Sequence, residues 1–145
     1  MTEEHFRKLE RMYLNANFNT QIYDTTTASI SKETAEIGLT INEKYFHALG
    51  AIHGSVYFKL LDDATFFAVN SIVTDVFVLT TNFNIQLIRP ANEGRIRAKG
   101  KVRFQSRNLF VADATLYNES GKEIAFGTGN FMKSKVALTP EIGYE

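Results

Sequence analysis

The chain has 145 residues, 44% of them hydrophobic, which is enough for one domain with a buried core. Its 16 basic and 16 acidic side chains give a formal net charge of zero, which excludes a strong general attraction to nucleic acid or to an anionic membrane. Because cysteine is absent, disulfides, thiolate catalysis and most zinc sites are also excluded.

The N-terminal segment, residues 1–20, is predicted to contain a helix over 3–16. Phe6, Leu9 and Tyr13 recur at helical spacing and give this helix one apolar stripe. His5 lies on its polar side and is expected to face solvent. The first residues are polar and acidic, unlike a secretory signal, and no apolar run reaches the roughly 20 residues that span a bilayer. We therefore expect a cytoplasmic protein without a membrane segment.

Most of the remaining chain is predicted as strands around a second, more apolar helix. In chain order we expect two strands within 22–41, a loop over 42–53, the helix over 54–71, strands over about 76–88, 94–106, 109–118 and 122–133, and a weakly structured tail over 134–145. Repeats and low-complexity segments are absent, so we expect a single domain over 1–145.

The later strands alternate between apolar and polar residues, which indicates a sheet with one face in water. In the strand over 76–88, the residues expected on one face are Phe77, Leu79, Thr81, Phe83, Ile85 and Leu87. The other face of the sheet needs a cover, and the helix over 54–71 is the only long apolar element available. These features predict an α+β fold in which one central helix packs into a curved antiparallel sheet.

The loop that leads into this helix holds the most informative residues. It carries His47, Gly50, His53 and Gly54, and an acid, Asp62, follows about two turns into the helix. A helix start has backbone N–H groups without intrahelical partners, and such groups can stabilise an oxyanion. A carboxylate can act as a general base. The stretch therefore provides the parts for chemistry on a carbonyl group.

The spacing of these residues resembles that of a known family. The pattern Gly50-x-x-His53-Gly54, then Leu60-x-Asp62-x-Ala64-x-x-x-Ala68, is similar to the hotdog-fold acyl-CoA thioesterases of the phenylacetate-degradation (PaaI-like) type. Their pattern is Asn-x-x-Gly-x-x-His-Gly-Gly, followed nine residues past the histidine by a helical aspartate, and His53 and Asp62 keep that spacing. The resemblance implies a hotdog fold, a curved antiparallel sheet wrapped around one long central helix, here with an extra N-terminal helix.

Two positions depart from the family pattern. The family's asparagine falls on His47, and its second glycine falls on Ser55, a residue type that suits a helix start. A histidine can still donate one hydrogen bond, although its ring is larger than an asparagine amide.

The resemblance implies hydrolysis of an acyl-CoA thioester, or of an acyl-carrier-protein thioester. The thioester carbonyl would accept the N–H of Gly54, aided by His47 or His53, and Asp62 would act as general base or as nucleophile. Thr80, on the strand after the helix, would steady the attacking water. Beyond the coenzyme A of the substrate, no cofactor is implied.

Further residues are assigned to substrate binding: Ser55, Phe58, Phe66, Thr81 and Arg107. Phe58 and Phe66 flank Asp62 at i−4 and i+4, and poor hydration between two aromatic rings is expected to raise the pKa of Asp62 and make it a better base. Arg107 lies in a turn and is expected to contact the phosphates of coenzyme A. Asp63, by contrast, follows Lys59 by four residues and is expected to form an ordinary surface ion pair.

The two loop histidines each allow two interpretations. His53 either caps and braces the helix start or takes part in the chemistry, and His47 is either a plain loop residue or the stand-in for the family's asparagine. A metal site is not predicted, because no third ligand accompanies these histidines. The sequence also has no phosphate-binding glycine loop and no Gly-x-Ser-x-Gly elbow.

Two alternative functions stay open, a hotdog hydratase or dehydratase that uses the loop histidine as base, and a non-catalytic acyl-CoA-binding module.

The expected oligomeric assembly follows from helix geometry. Gly54 and Asp62 are eight residues apart on one helix, about 12 Å along its axis, which is too far for one chain to bring water and carbonyl together. We therefore expect a homodimer, or a dimer of dimers, with shared sites, as the resemblance also implies.

Overall fold

The computed structural model describes residues 2–145 as two helices, six strands and three short helical turns. The helices and strands are α1 (Thr2–Leu14), β1 (Thr27–Ser31), β2 (Thr34–Thr40), α2 (Gly54–Asn70), β3 (Val76–Leu87), β4 (Arg95–Gln105), β5 (Phe110–Tyr117) and β6 (Glu123–Ala137). A π-helical turn occupies Phe18–Ile22, and 3₁₀ turns occupy Glu43–Tyr45 and Pro140–Ile142.

The six strands form one antiparallel sheet in the order β1-β2-β4-β5-β6-β3, and α2 packs against it. The helix residues that are fully buried against the sheet include Leu60, Leu61, Ala64 and Ala68. Gly100 of β4 permits the close approach, because a Cβ there would lie 2.4 Å from the carbonyl oxygen of Ala64. The predicted α+β hotdog fold, with a curved sheet around one long central helix, is confirmed.

A β-bulge in β3 changes which side chains face α2. Thr80 pairs with Phe131, but the next pair is Asn82 with Asn130, so Thr81 is an extra residue. Before the bulge the even-numbered Val78 is buried, and after it the odd-numbered Phe83 packs on a ring of α2. The expectation that Thr81 shares a face with Phe83 is therefore wrong, because the extra residue shifts the alternation by one.

The helix α1 is confirmed, with Leu9, Met12 and Tyr13 buried beneath it. His5, however, is only 5% exposed, so the expectation of a solvated histidine is wrong. Its Nε2 lies 2.9 Å from the carbonyl oxygen of Asn70, close to the end of α2, where carbonyl groups lack intrahelical partners. Its Nδ1 lies 2.7 Å from the hydroxyl of Tyr144.

The C-terminal residues are ordered against α1, which corrects the prediction of a weakly structured tail. β6 continues to Ala137, four residues past the predicted end, and the turn at Pro140–Ile142 follows it. The first strand also begins at Thr27 rather than near 22, because the preceding residues form the π-helical turn. α1 and the C-terminal segment thus form a second layer beside α2.

Candidate active site

The loop before α2 is a tight, hydrogen-bonded turn. The N–H of His47 donates to the carbonyl of Ala51 (3.0 Å), and Phe46 and Ile52 form an isolated antiparallel bridge. Gly50 has a φ of +80°, a left-handed conformation that a glycine adopts without strain. The loop holds His47 and His53 in fixed places beside the helix start.

His53 is the N-cap of α2. Its Nδ1 accepts the backbone N–H of Ser55 (3.0 Å) and lies 2.9 Å from the Ser55 hydroxyl. A neutral ring that accepts at Nδ1 carries its proton on Nε2, so it has no free nitrogen to accept a proton. The capping interpretation of His53 therefore has direct geometric support.

His47 is exposed, and its Nδ1 accepts the N–H of Leu49 (3.1 Å). The neutral ring therefore has an N–H at Nε2 that can donate. His47, Gly54, Tyr57 and Leu87 line a shallow cavity of about 410 Å³ at the helix start. Within residues 2–145 the N–H of Gly54 has no hydrogen-bond partner, so this cavity contains donors for a carbonyl oxygen.

Asp62 lies in the middle of α2, about 12 Å along the axis from Gly54. The Oγ1 of Thr80 donates to its Oδ1 (2.9 Å), while Oδ2 has no hydrogen-bond partner within residues 2–145. Burial raises the pKa of Asp62 from 3.8 to about 6; the Thr80 hydrogen bond and the Lys59 charge lower it, and the Asp63 charge raises it. A carboxylate with this pKa is largely ionised at neutral pH and still accepts a proton readily.

The predicted pair of Lys59 and Asp63 is present, but it is not an ordinary surface pair. Lys59 is only 6% exposed, and its ammonium lies 2.7 Å from Asp63 and 3.0 Å from the Tyr13 hydroxyl, which itself donates to Asp63 (2.6 Å). The ammonium also lies within 5.4 Å of the ring centres of Tyr13, Phe18 and Tyr23. This aromatic cage stabilises the buried cation and holds α1 against α2.

Asp62 lies at the wall of a cavity with a volume of about 720 Å³. Its walls come from α1, α2, β3, β6 and the C-terminal segment, and most of them are apolar. Phe66, which lines it, packs on Phe67, Phe77 and Phe131. The carboxylate and a large apolar cavity are therefore adjacent.

The other predicted substrate residues are dispersed. Phe58 is exposed on α2 and packs edge-on against Phe83, and Ser55 is exposed at the helix start. The Thr81 hydroxyl donates to the carbonyl of Asn130 (3.2 Å), away from Asp62. Arg107 is exposed in the turn after β4. One chain thus does not bring these residues together.

The sequence pattern does not predict that α1 contributes to the site. The predicted apolar stripe gives Tyr13 no role in the site, and the predicted loose tail gives none to the C-terminal segment, yet Tyr13, Met12 and Ile142 line the cavity. One signal was available, since Lys59 interrupts an otherwise apolar helix stretch and a lysine there requires partners. Among residues 2–145, no group of three or more His, Asp or Glu side chains could hold a metal ion, and no helix is long and apolar enough to cross a membrane.

The sequence is similar to those of known proteins. Residues 49–125, a little over half of the chain, match the thioesterase superfamily. A Saccharolobus solfataricus protein named for an inferred esterase activity is 24% identical over 103 residues, 71% of this chain and 69% of that protein.

Solved structures show the same fold. The PaaI protein from the E. coli phenylacetic acid degradation operon superimposes with a TM-score of 0.84 at 21% identity, over 95% of this chain and 99% of that one. A mutant of the phenylacetic acid degradation protein PaaI from Thermus thermophilus gives a TM-score of 0.73 at 20% identity, over 82% of this chain and 100% of that one.

Proposed function

This chain belongs to the thioesterase superfamily, and we propose that it hydrolyses acyl-CoA thioesters to a carboxylic acid and free coenzyme A. The observation that carries the proposal is the Asp62 carboxylate, which the Thr80 hydroxyl holds through one oxygen at the wall of an apolar cavity. Family membership supports a hydrolase in general, and the acyl-CoA substrate is our inference.

In the proposed reaction, the thioester carbonyl oxygen accepts the free N–H of Gly54, with the Nε2–H of His47 as a second donor. The free Oδ2 of Asp62 accepts a proton from water, whose oxygen bonds to the carbonyl carbon. The Gly54 N–H stabilises the resulting oxyanion. The carbon–sulfur bond then breaks, and the coenzyme A thiolate takes the proton from Asp62. Alternatively, Asp62 attacks the carbonyl carbon directly, the carbon–sulfur bond breaks and coenzyme A leaves as the thiolate; water then hydrolyses the resulting anhydride, which releases the acid, regenerates the Asp62 carboxylate and supplies the proton that the thiolate takes up.

In the proposed reaction, a second chain brings the two groups together. About 12 Å of helix separates Gly54 from Asp62, whereas reacting atoms must approach to about 3–3.5 Å. In a twofold dimer with antiparallel central helices, the Asp62 of one protomer would lie beside the partner's helix start. The edge position of β3 and the exposure of its Leu79 and Leu87 support an interface on that side.

The geometry favours this activity over the two alternatives. A hydratase or dehydratase needs the loop histidine as base, but the Nδ1 of His53 already accepts the helix N–H of Ser55. A binding module has no need of a carboxylate with a raised pKa in a cavity wall.

The test is a screen of coenzyme A release over acyl-CoAs of graded length, with phenylacetyl-CoA, benzoyl-CoA and an acyl-carrier-protein thioester. We expect equal amounts of free acid and thiol. Tight binding of every acyl-CoA without thiol release would assign a binding module, and a 3-hydroxyacyl or enoyl product would assign a hydratase or dehydratase.

A further inference from the structure

Two consecutive carboxylates of α2 lie in the wall of the cavity between α1 and α2. Asp62 and Asp63 both line it, and both are only partly exposed. Two neighbouring carboxylates in an apolar, poorly hydrated wall disfavour each other's ionisation. Because the proposed reaction uses Asp62 in its ionised form, the charge of Asp63 needs compensation.

Lys59 supplies the compensating charge. It precedes Asp62 by three residues and Asp63 by four, so along the helix its ammonium can reach either carboxylate. It lies 2.7 Å from Oδ2 of Asp63, and the Tyr13 hydroxyl, 3.0 Å from the ammonium, donates to that same oxygen. The ammonium also lies within 5.4 Å of three aromatic ring centres. These contacts hold Lys59 on Asp63 and away from Oδ2 of Asp62.

Packing alone does not account for a lysine at this place in the helix. Lys59 is almost fully buried, and replacing a buried ion pair by apolar side chains of similar volume is often neutral or stabilising. An apolar side chain at position 59 would also fill the space between the three rings and fasten α1 to α2. The ion pair therefore has a use beyond stability.

The other elements around the cavity contribute neutral groups. The Thr80 hydroxyl comes from β3, and the apolar Val136 and Ile142 come from β6 and the C-terminal segment. Burial raises the pKa of Tyr13 well above its ordinary value, so its hydroxyl keeps its proton and α1 adds no charge here.

The two charges of the pair act on Asp62 in opposite directions. Burial is the largest effect and raises the pKa of Asp62, and the Thr80 hydrogen bond lowers it. Of the two charges, that of Asp63 raises this pKa and that of Lys59 lowers it. With both charges present, their effects on Asp62 largely cancel.

We propose that Lys59 and Asp63 are positioning residues of the active site, which hold two opposite charges in balance beside the Asp62 carboxylate and thereby set the pH range in which it works. The assignment rests on the proposed hydrolase function for the role of Asp62 as a base. Without Lys59, the charge of Asp63 acts alone and Asp62 keeps its proton to higher pH. Without Asp63, the ammonium acts alone, and Asp62 ionises at lower pH.

The test compares Lys59→Gln, Asp63→Asn and the double variant in the full-length protein. The acidic limb of kcat/KM should move upward by about 0.5–1 pH unit in Lys59→Gln and downward by a similar amount in Asp63→Asn. In the double variant both charges are absent, so the limb should return close to that of the wild type. Asp113→Asn is the matched control: it removes an acid from an ion pair with Arg103 on the face of the sheet away from α2, and the limb should stay in place.

A second readout does not depend on activity. In protein isotopically labelled at the aspartate carboxyl carbons, the NMR signal that is missing in Asp62→Asn belongs to Asp62. Its titration should shift upward in Lys59→Gln, downward in Asp63→Asn and very little in the double variant.

A shift in the wrong direction, or no shift, in a folded single variant would overturn the assignment, because a pair that only fastens α1 to α2 gives no shifts of opposite sign. A double variant whose limb stays displaced would overturn it as well. Each single variant tests the pair independently, so if one does not fold the other decides. If the NMR titrations shift as expected but no thioester is hydrolysed, the charge pair stands and the hydrolase proposal is wrong.

Discussion

The hydroxyl of Thr80 on β3 donates a 2.9 Å hydrogen bond to Oδ1 of Asp62 on α2. The next residue, Thr81, lies in the β-bulge and instead donates to the carbonyl of Asn130. Because of the bulge, the Thr80 hydroxyl faces the Asp62 carboxylate, whereas the Thr81 hydroxyl faces away from it.

The Thr80 bond can be tested through the pH profile of activity. Because Asp62 has a pKa of about 6 and acts when ionised, kcat/KM should fall as the pH drops through 6. Thr80→Val removes a bond that lowers this pKa, so the acidic limb should move upward by up to about one pH unit. Thr80→Ser should restore the wild-type limb, and Thr81→Val should leave it unchanged. An equal shift in both valine variants would contradict the assignment.

Substitution of Asp62 should reduce activity, whereas substitution of its neighbour Asp63 should reduce stability. Asp62→Asn should lower kcat at least ~100-fold, the low end for loss of a general base, with no fall in Tm. Asp63→Asn should keep kcat within a few-fold but leave the buried Lys59 ammonium without its counter-charge, which costs about 3 kcal/mol, or roughly 10 °C in Tm. Steady-state kinetics and thermal melts check both. Small, equal losses of activity in the two variants would remove Asp62 from the mechanism.

The raised pKa of Asp62 also predicts a pH-dependent stability. Since its pKa is about 6 in the folded chain and 3.8 ordinarily, the fold favours the protonated form, and the cost of ionisation grows between pH 4 and pH 7. Asp62→Asn should therefore increase the free energy of unfolding by about 1–3 kcal/mol at pH 8 and change it little at pH 4. Urea unfolding at both pH values measures this. Asp75→Asn, at an exposed aspartate, is the control, and a stabilisation of Asp62→Asn that is equal at both pH values would refute the explanation.

His47 should act as a neutral hydrogen-bond donor. His47→Asn keeps a donor and restores the family's residue, so activity should be retained or raised, whereas His47→Ala should lower kcat. His53→Asn, which keeps a helix cap, is the comparison. An unchanged rate in His47→Ala would show that His47 is only a loop residue.

Much of the fold could be predicted from periodicity and one motif. The apolar run of α2 and the alternating strands indicate the hotdog architecture, and the spacing of His53 and Asp62 locates the helix start and the acid. The bulge at Thr81 could not be predicted, because the sequence of β3 alternates without interruption. The extra residue becomes visible only in the pairing of β3 with β6.

The second layer, formed by α1 and the C-terminal segment, could not be predicted from the sequence alone either. His5 has the polarity of a surface residue, and its burial depends on the carbonyl of Asn70 and the hydroxyl of Tyr144, which are distant in the chain. The C-terminal residues look loose because their order comes from contacts with α1 rather than from local propensity. These long-range contacts complete the cavity beside Asp62.

The most direct test of the account is complementation between two inactive variants. Asp62→Asn removes the base, and Gly54→Val blocks the carbonyl donor; the helix start tolerates a side chain, because a Cβ at position 54 meets only Leu87, at 3.4 Å. Each variant alone should be inactive. In a purified heterodimer one shared site carries both changes and the other carries neither, so activity should return to about half of wild type per dimer. Heterodimers that stay inactive, or an active monomer seen by light scattering, would contradict the shared site.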